Sequence, residues 1–140
     1  MTAAARAINI LLVDDDEVDV LNVRRAFARG RITNALWVAG DGIEALRMLR
    51  GGEVPAARRL ILLDINMPRM NGIEFLRALR QDPALQAIPV VVLTTSNDDR
   101  DRIEAYRLNV AGYLLKPVTF VAFIELMWAL DRYWTLVEMP

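Results

Sequence analysis

Cysteine and histidine are both absent from this chain. Without cysteine there are no disulfides, no thiolate zinc sites and no cysteine nucleophile. Without histidine there is no Ser-His-Asp catalysis, no imidazole metal ligand and no phosphohistidine on the chain itself. Excess positive charge is missing as well. The 17 basic and 18 acidic residues give a net charge of −1, so no basic field points to nucleic acid as a partner. No window approaches the uninterrupted apolar stretch needed to span a bilayer. Residues 1–7 are mostly small, carry one arginine and lack the apolar core of a signal peptide. These absences predict a soluble cytoplasmic protein that makes no membrane contact. Its chemistry is left to carboxylates, hydroxyls, arginine and a scarce lysine.

What is present reads as one domain. The 140 residues are 54% hydrophobic and 25% charged, which suffices to bury a core without staples. No repeat, linker or low-complexity segment divides the chain. Residues 1–140 are therefore expected to form a single domain, with its core at about 8–134, a last helix and tail over 118–140, and no output domain. Short apolar runs recur at 8–13, 33–38, 60–63, 89–93 and 112–115. Bounded by Asp, Gly or Pro, they read as buried strands, because parallel strands covered on both faces lose their alternation. Helical spacing fills the gaps: Val20, Val23 and Phe27; Leu46 and Leu49; Ile73, Leu76 and Leu79; a weaker helix with Ile103 and Arg107; and a long one over about 118–134. The alternation predicts an α/β fold, a (βα)5 doubly wound five-stranded parallel sheet. Ligands on such sheets bind outside the carboxyl ends of the strands. Asp14-Asp15, Asp64, Thr94 and Lys116 all fall there.

Carboxylates that converge either raise a pKa or bind a cation. Oxygen donors with no nitrogen or sulfur beside them favour Mg²⁺ or Mn²⁺ over zinc. Asp15 and Asp64 are the expected ligands, with Asp14 as a direct or water-mediated neighbour. The ordinary alternative is that Asp14-Asp15-Asp16-Glu17 serves the start of the first helix, where anions complement the dipole. That describes Asp16 and Glu17 well; for Asp14 and Asp15 taken alone, both readings stand. A carboxylate beside Mg²⁺ can attack a phosphoryl group activated elsewhere, a reaction that needs mainly positioning and charge neutralisation. Lys116 is a compact charge suited to that neutralisation, although a surface ion pair is the usual role of a lone lysine. Pro117 permits a cis peptide that would aim the lysine inward. The Thr94 hydroxyl can bond a phosphoryl oxygen, while β-propensity alone also explains a threonine there.

Three stretches, Ile10-Leu11-Leu12-Val13-Asp14-Asp15, Leu63-Asp64-Ile65-Asn66-Met67-Pro68-Arg69-Met70-Asn71-Gly72 and Tyr113-Leu114-Leu115-Lys116-Pro117, together resemble the CheY-like receiver domain of two-component response regulators. The likeness covers nearly the whole chain and implies a flavodoxin-like sheet of order 2-1-3-4-5. It implies that Asp64 accepts a phosphoryl group from a sensor histidine kinase in a Mg²⁺-dependent reaction. Self-catalysed transfer and slow autodephosphorylation would then be the only chemistry. By the same resemblance Asp15 is the main metal-binding acid, with Asp14 assisting and the Asn66 carbonyl completing the set. Thr94 is the switch hydroxyl, Tyr113 the aromatic switch and Lys116 the contact to the phosphoryl group. Phosphorylation would draw Thr94 inward, and Tyr113 would follow. Two departures from the family pattern, Thr95 and Val118, remove no chemical group. The segment 89–96 and the tail 132–140 resemble stand-alone receivers commonly paired with phytochrome-type histidine kinases.

Two other classes compete. A Mg²⁺-dependent phosphohydrolase with an aspartate nucleophile usually needs a second acid two residues on, where this chain has Asn66. A flavin-binding domain of like topology needs a phosphate loop after the first strand, and Asp14-Asp15-Asp16 would repel phosphate there. The last helix adds a separate expectation. Its apolar side chains spread over roughly 240°, more than the arc of about 100° that packing on a sheet requires. Phe120, Ile124, Trp128, Trp134 and Leu136 are accordingly expected at a homodimer interface.

Overall fold

The computed structural model describes residues 7–140. Five strands, β1 (Asn9–Val13), β2 (Leu36–Ala39), β3 (Arg59–Leu63), β4 (Val90–Thr94) and β5 (Gly112–Leu115), alternate with five helices. The helices are α1 (Glu17–Arg29), α2 (Gly42–Arg50), α3 (Gly72–Gln81), α4 (Asp99–Arg107) and α5 (Phe120–Leu136). All strand pairs are parallel and the sheet order is β2-β1-β3-β4-β5, as expected for a doubly wound fold.

Two apolar layers sandwich the sheet, and strand alternation sorts residues between them. Leu11, Val13, Ile61, Leu63, Val90 and Val92 face α2, α3 and α4. Ile10, Leu12, Leu60, Leu62, Val91 and Leu93 face α1 and α5. Each central strand is therefore apolar on both sides, which is why these runs show no polar alternation. Side chains fix the helix starts. Asp16, Asp41, Asn71, Asp98 and Thr119 accept hydrogen bonds from first-turn amides, and Asn71 with Glu74 forms a reciprocal capping box. Among the described residues no helix is long and apolar enough to cross a membrane.

Most element boundaries move by one or two residues from the sequence expectation, and three of the starts have a visible cause. β2 starts at Leu36 rather than residue 33, because Asn34 turns its amide to the Ile8 carbonyl and pairing with β1 begins only at Leu36. β3 starts at Arg59 rather than Leu60. The Arg59 guanidinium is buried yet donates to the carbonyls of Leu49, Val54 and Pro55, so a charged residue opens a central strand. α5 begins two residues later than 118, at Phe120, with Thr119 as its cap.

The last helix departs from the expected interface more substantially. Trp134 is only 1% exposed; its ring tilts against Phe27, and its indole N–H donates to Asp131. Ile124 is buried in the same layer, and Phe120 is partly covered there. Ile124 and Trp134 are thus core residues rather than contact residues, because α1 docks over that side of α5 and absorbs part of the wide apolar arc. Trp128 lies across Gly30, where an added Cβ would sit 2.2 Å from its indole nitrogen. It remains 43% exposed, and Leu136 is 83% exposed.

Candidate functional site

β1 and β3 are neighbours, whereas the chain leaves β1 for β2 on the opposite side. The strand order therefore reverses at this pair, opening a crevice at their carboxyl ends. The ladder continues one residue past each strand: the Asp14 amide donates to Ala39, the Asp64 amide to Val13 and the Lys116 amide to Thr94. That continuation sets Asp14, Asp64 and Lys116 at one level over the sheet.

Asp14, Asp15 and Asp64 each bring a carboxylate oxygen within 4.8 Å of the others. Asp14 and Asp64 are 4% and 6% exposed, while Asp15 faces solvent. One oxygen of Asp64 accepts from the Thr94 hydroxyl at 2.6 Å and from the Ile65 amide at 2.8 Å. Its other oxygen lies 3.6 Å from Lys116 Nζ. Lys116 extends from the end of edge strand β5 to Asp14 at 2.8 Å and to Asp19 of α1 at 2.7 Å. The Lys116–Pro117 peptide is trans, as no cis bond occurs among the described residues. The lysine reaches the pocket without the cis isomer that Pro117 permits, because its four-carbon stem spans the distance.

One ammonium is shared among several carboxylates, and the consequences differ by residue. Burial pushes the Asp14 carboxyl up, and the hydrogen bonds from Lys116 and the Asp16 amide offset this only in part, leaving it at about 6. Burial works to lower Lys116, but Asp14 and Asp19 outweigh it and hold the lysine firmly protonated. An acidic trio partly withdrawn from water and short of positive charge suits a hard divalent cation. Asp15 and Asp64 would face such an ion, with Asp14 beside them. Asn66 sits exposed at the rim, two residues beyond Asp64.

Asp14 gives a pH prediction for the metal-free protein. Its folded value of about 6 lies above the ordinary 3.8, so the folded state binds the proton more tightly. Charging Asp14 therefore opposes folding fully above pH 6. That penalty is relieved as pH falls through 6 toward 3.8, and is worth up to about 3 kcal/mol. Asp14→Asn, unfolded by urea in the presence of a chelator, is expected to gain roughly 1–3 kcal/mol at pH 7.5 and to flatten the trend between pH 5 and 7.5. A loss of stability at pH 7.5 would contradict the assigned burial penalty.

A second chain of bonds leads away from Asp64. Thr94 Oγ1 accepts from the Ser96 amide at 3.1 Å, the Ser96 carbonyl accepts from the Tyr113 hydroxyl at 2.9 Å, and the Ser96 hydroxyl donates to Asp101 of α4 at 2.7 Å. Thr94 and Tyr113, both picked out in the sequence, are thus joined through Ser96. Thr95 points to solvent, and Val118 is fully exposed. Two features escaped the sequence reading. Asp19 lies just past the Asp14-Asp15-Asp16-Glu17 run, and only its spacing on α1, one turn after Asp16, hints that it faces the pocket. Arg69 bonds the buried cap residue Asp41 and ties the loop after β3 to α2; no local pattern announces that pair.

Comparison with known proteins agrees with this geometry. The family model described as the response regulator receiver domain matches residues 10–127. The chain is 38% identical over 130 residues to the probable methanogenesis regulatory protein FilR2 of Methanothrix harundinacea, covering 89% of this chain and 82% of that one. It is 37% identical over 128 residues to response regulator Rcp1 of Synechocystis, covering 89% and 87%. The phosphorylated cyanobacterial phytochrome response regulator RcpA superposes with a TM-score of 0.85 at 33% identity, over 96% of this chain and 99% of that one. The Mn²⁺-bound form of Rcp1 superposes at 0.83 with 36% identity, over 95% and 99%. A five-stranded 2-1-3-4-5 sheet, an acidic trio at its switch point and a lysine and threonine converging on Asp64 agree with that match: the chain belongs to the response regulator receiver domain family.

Proposed function

We propose that this receiver accepts a phosphoryl group on Asp64 from a phosphohistidine of a sensor kinase. The observation that carries the reading is the environment of the Asp64 carboxylate. A hydroxyl and an amide hold one oxygen, the other faces Lys116, and two further carboxylates stand beside the group. The free oxygen attacks phosphorus; the P–N bond to the donor imidazole breaks, and the electron pair leaves with the nitrogen, which is protonated. The product is a mixed anhydride of Asp64, later hydrolysed by water to carboxylate and inorganic phosphate. Asp15, Asp64, the Asn66 carbonyl and Asp14 would hold Mg²⁺, with Mn²⁺ as a substitute. A bound divalent cation supplies charge neutralisation for the equatorial phosphoryl oxygens. Lys116 contributes a second positive charge from the other side. Thr94 exchanges its carboxylate acceptor for a phosphoryl oxygen, and Ser96 passes the displacement to Tyr113 and α4. Likeness to a phytochrome response regulator supports a phytochrome-type kinase as donor.

The direct test supplies Mg²⁺ and acetyl phosphate, whose P–O bond breaks to release acetate, and measures intact mass. An adduct lost on chelation and in Asp64→Asn is the expected result. No adduct, or one surviving that substitution, defeats the proposal.

We also propose a homodimer through the outer face of α5. Val121, Trp128 and Leu136 are exposed within roughly 80° of helix arc. Glu125 and Arg132 fall between them with no ion pair to another described residue. Two such helices laid antiparallel about Trp128 would set Glu125 of one copy opposite Arg132 of the other, the self-complementarity that a twofold interface needs. In sedimentation at tens of micromolar, the wild type is expected to dimerise and Trp128→Arg to be monomeric. A monomeric wild type would remove this part of the proposal.

A further inference from the structure

We propose that Asp19 is a positioning residue for Lys116, keeping the ammonium in the pocket when Asp14 turns to a divalent cation. The inference deepens the phosphoacceptor reading and rests on it for the role of Asp64. The Lys116 side chain is only 6% exposed, and an ammonium so withdrawn from water needs carboxylate partners in every state it occupies. It has two at bonding distance, Asp14 at 2.8 Å and Asp19 at 2.7 Å, with Asp64 farther off at 3.6 Å. Asp14 belongs to the acidic trio and Asp19 does not. A cation drawn to the trio competes with Lys116 for Asp14 and has no such claim on Asp19.

The position of Asp19 suits this task. It lies in the first turn of α1, where the helix dipole favours a negative charge. Its amide and that of Val18 are held by the Asp16 side chain at 3.3 and 2.8 Å. The helix end is therefore fixed, and the carboxylate is anchored from the backbone upward. Without Asp19, metal binding would leave Lys116 with the acceptor carboxylate as its remaining partner, or release it to solvent. The first ties the ammonium to the oxygen that must attack phosphorus, and the second takes it out of the pocket; both slow transfer to Asp64. Asp19 touches neither the acceptor nor the trio, and acts through the lysine.

Lys116 is the sole lysine of the chain, so labelling lysine with ¹⁵N gives a single side-chain ammonium signal in NMR spectra. A buried, carboxylate-bound ammonium exchanges its protons slowly and is visible. The wild type is expected to show this signal before and after saturating Mg²⁺. Asp19→Asn should keep it without metal and lose it with Mg²⁺, and Asp19→Glu should restore it in part. Phosphorylation of Asp19→Asn by acetyl phosphate should slow roughly 10- to 100-fold at saturating Mg²⁺, the scale of a misplaced reacting group. In a Lys116→Met background the same substitution should change the rate less than twofold. A Mg²⁺-loaded Asp19→Asn protein with the wild-type ammonium signal overturns the inference, as does equal slowing in both backgrounds. If wild type forms no adduct, the phosphoacceptor reading fails, while the ammonium signal still decides the Asp19–Lys116 link.

Discussion

Lys116→Met is expected to slow phosphorylation of Asp64 by about 10²–10³-fold, the scale of losing one preorganised charge at a reacting centre, while Mn²⁺ binding tightens. The opposite signs follow from one arrangement. Lys116 Nζ stands 3.6 Å from Asp64 and 2.8 Å from Asp14. In the resting pocket it competes with a divalent cation for carboxylates, so its removal leaves a more negative trio. In the transition state, charge spreads over the equatorial phosphoryl oxygens, and the side of Asp64 that faced the lysine loses its countercharge. Methionine fills similar space without a proton to donate. Mn²⁺ titration and the rate of adduct formation separate the two effects. Weaker metal binding together with slower transfer would indicate general damage to the site and sink this account.

The largest stability effect is expected at Gly72, which opens α3. A Cβ there would lie 2.4 Å from the Asp64 carbonyl oxygen and 2.8 Å from Ile65 Cα. Both atoms are backbone at the end of β3, and neither can rotate away. The Gly72 amide also donates to the Ile65 carbonyl at 2.8 Å, so helix and strand end cannot separate without losing that bond. Gly72→Ala should therefore destabilise the fold by about 2–3 kcal/mol, as overpacking in rigid surroundings does, and shift Asp64 away from Thr94 and Lys116. Gly40, with nothing within 4 Å of an added Cβ, is the control and should change little on substitution to alanine. Urea unfolding measures both, and Mn²⁺ affinity reports the displacement of Asp64. A Gly72→Ala protein within about 0.5 kcal/mol of wild type, the ordinary range for neutral surface changes, would show that the close approach relaxes without strain.

Much of the site was legible before the fold was known, because a buried parallel strand constrains its own sequence. Covered on both faces, β1, β3 and β4 must be continuously apolar, and the first polar residue after each run marks the carboxyl end. Asp14 and Asp64 identify themselves this way, and Thr94 does so as the last residue of β4, while Lys116 ends the shorter apolar run of the edge strand β5. Strand alternation with helices then leaves few topologies, and the crevice follows from the strand order.

The sequence by itself thus determined the α/β class, the strand ends and the set of groups able to meet at the switch point. Tertiary structure alone decided the pairings and which side of an ambiguous element faces inward. α5 carries more apolar surface than one sheet face needs, so periodicity could not say that Ile124 and Trp134 go to the core while Trp128 and Leu136 stay outside. The docking of α1 settles that, through Phe27 against Trp134 and Gly30 beneath Trp128. Lys116 and Asp19 are 97 residues apart in the chain, and no local pattern links them. Hydrophobic period and strand-end polarity are local signals, whereas an ion pair depends on where two distant backbones come to rest.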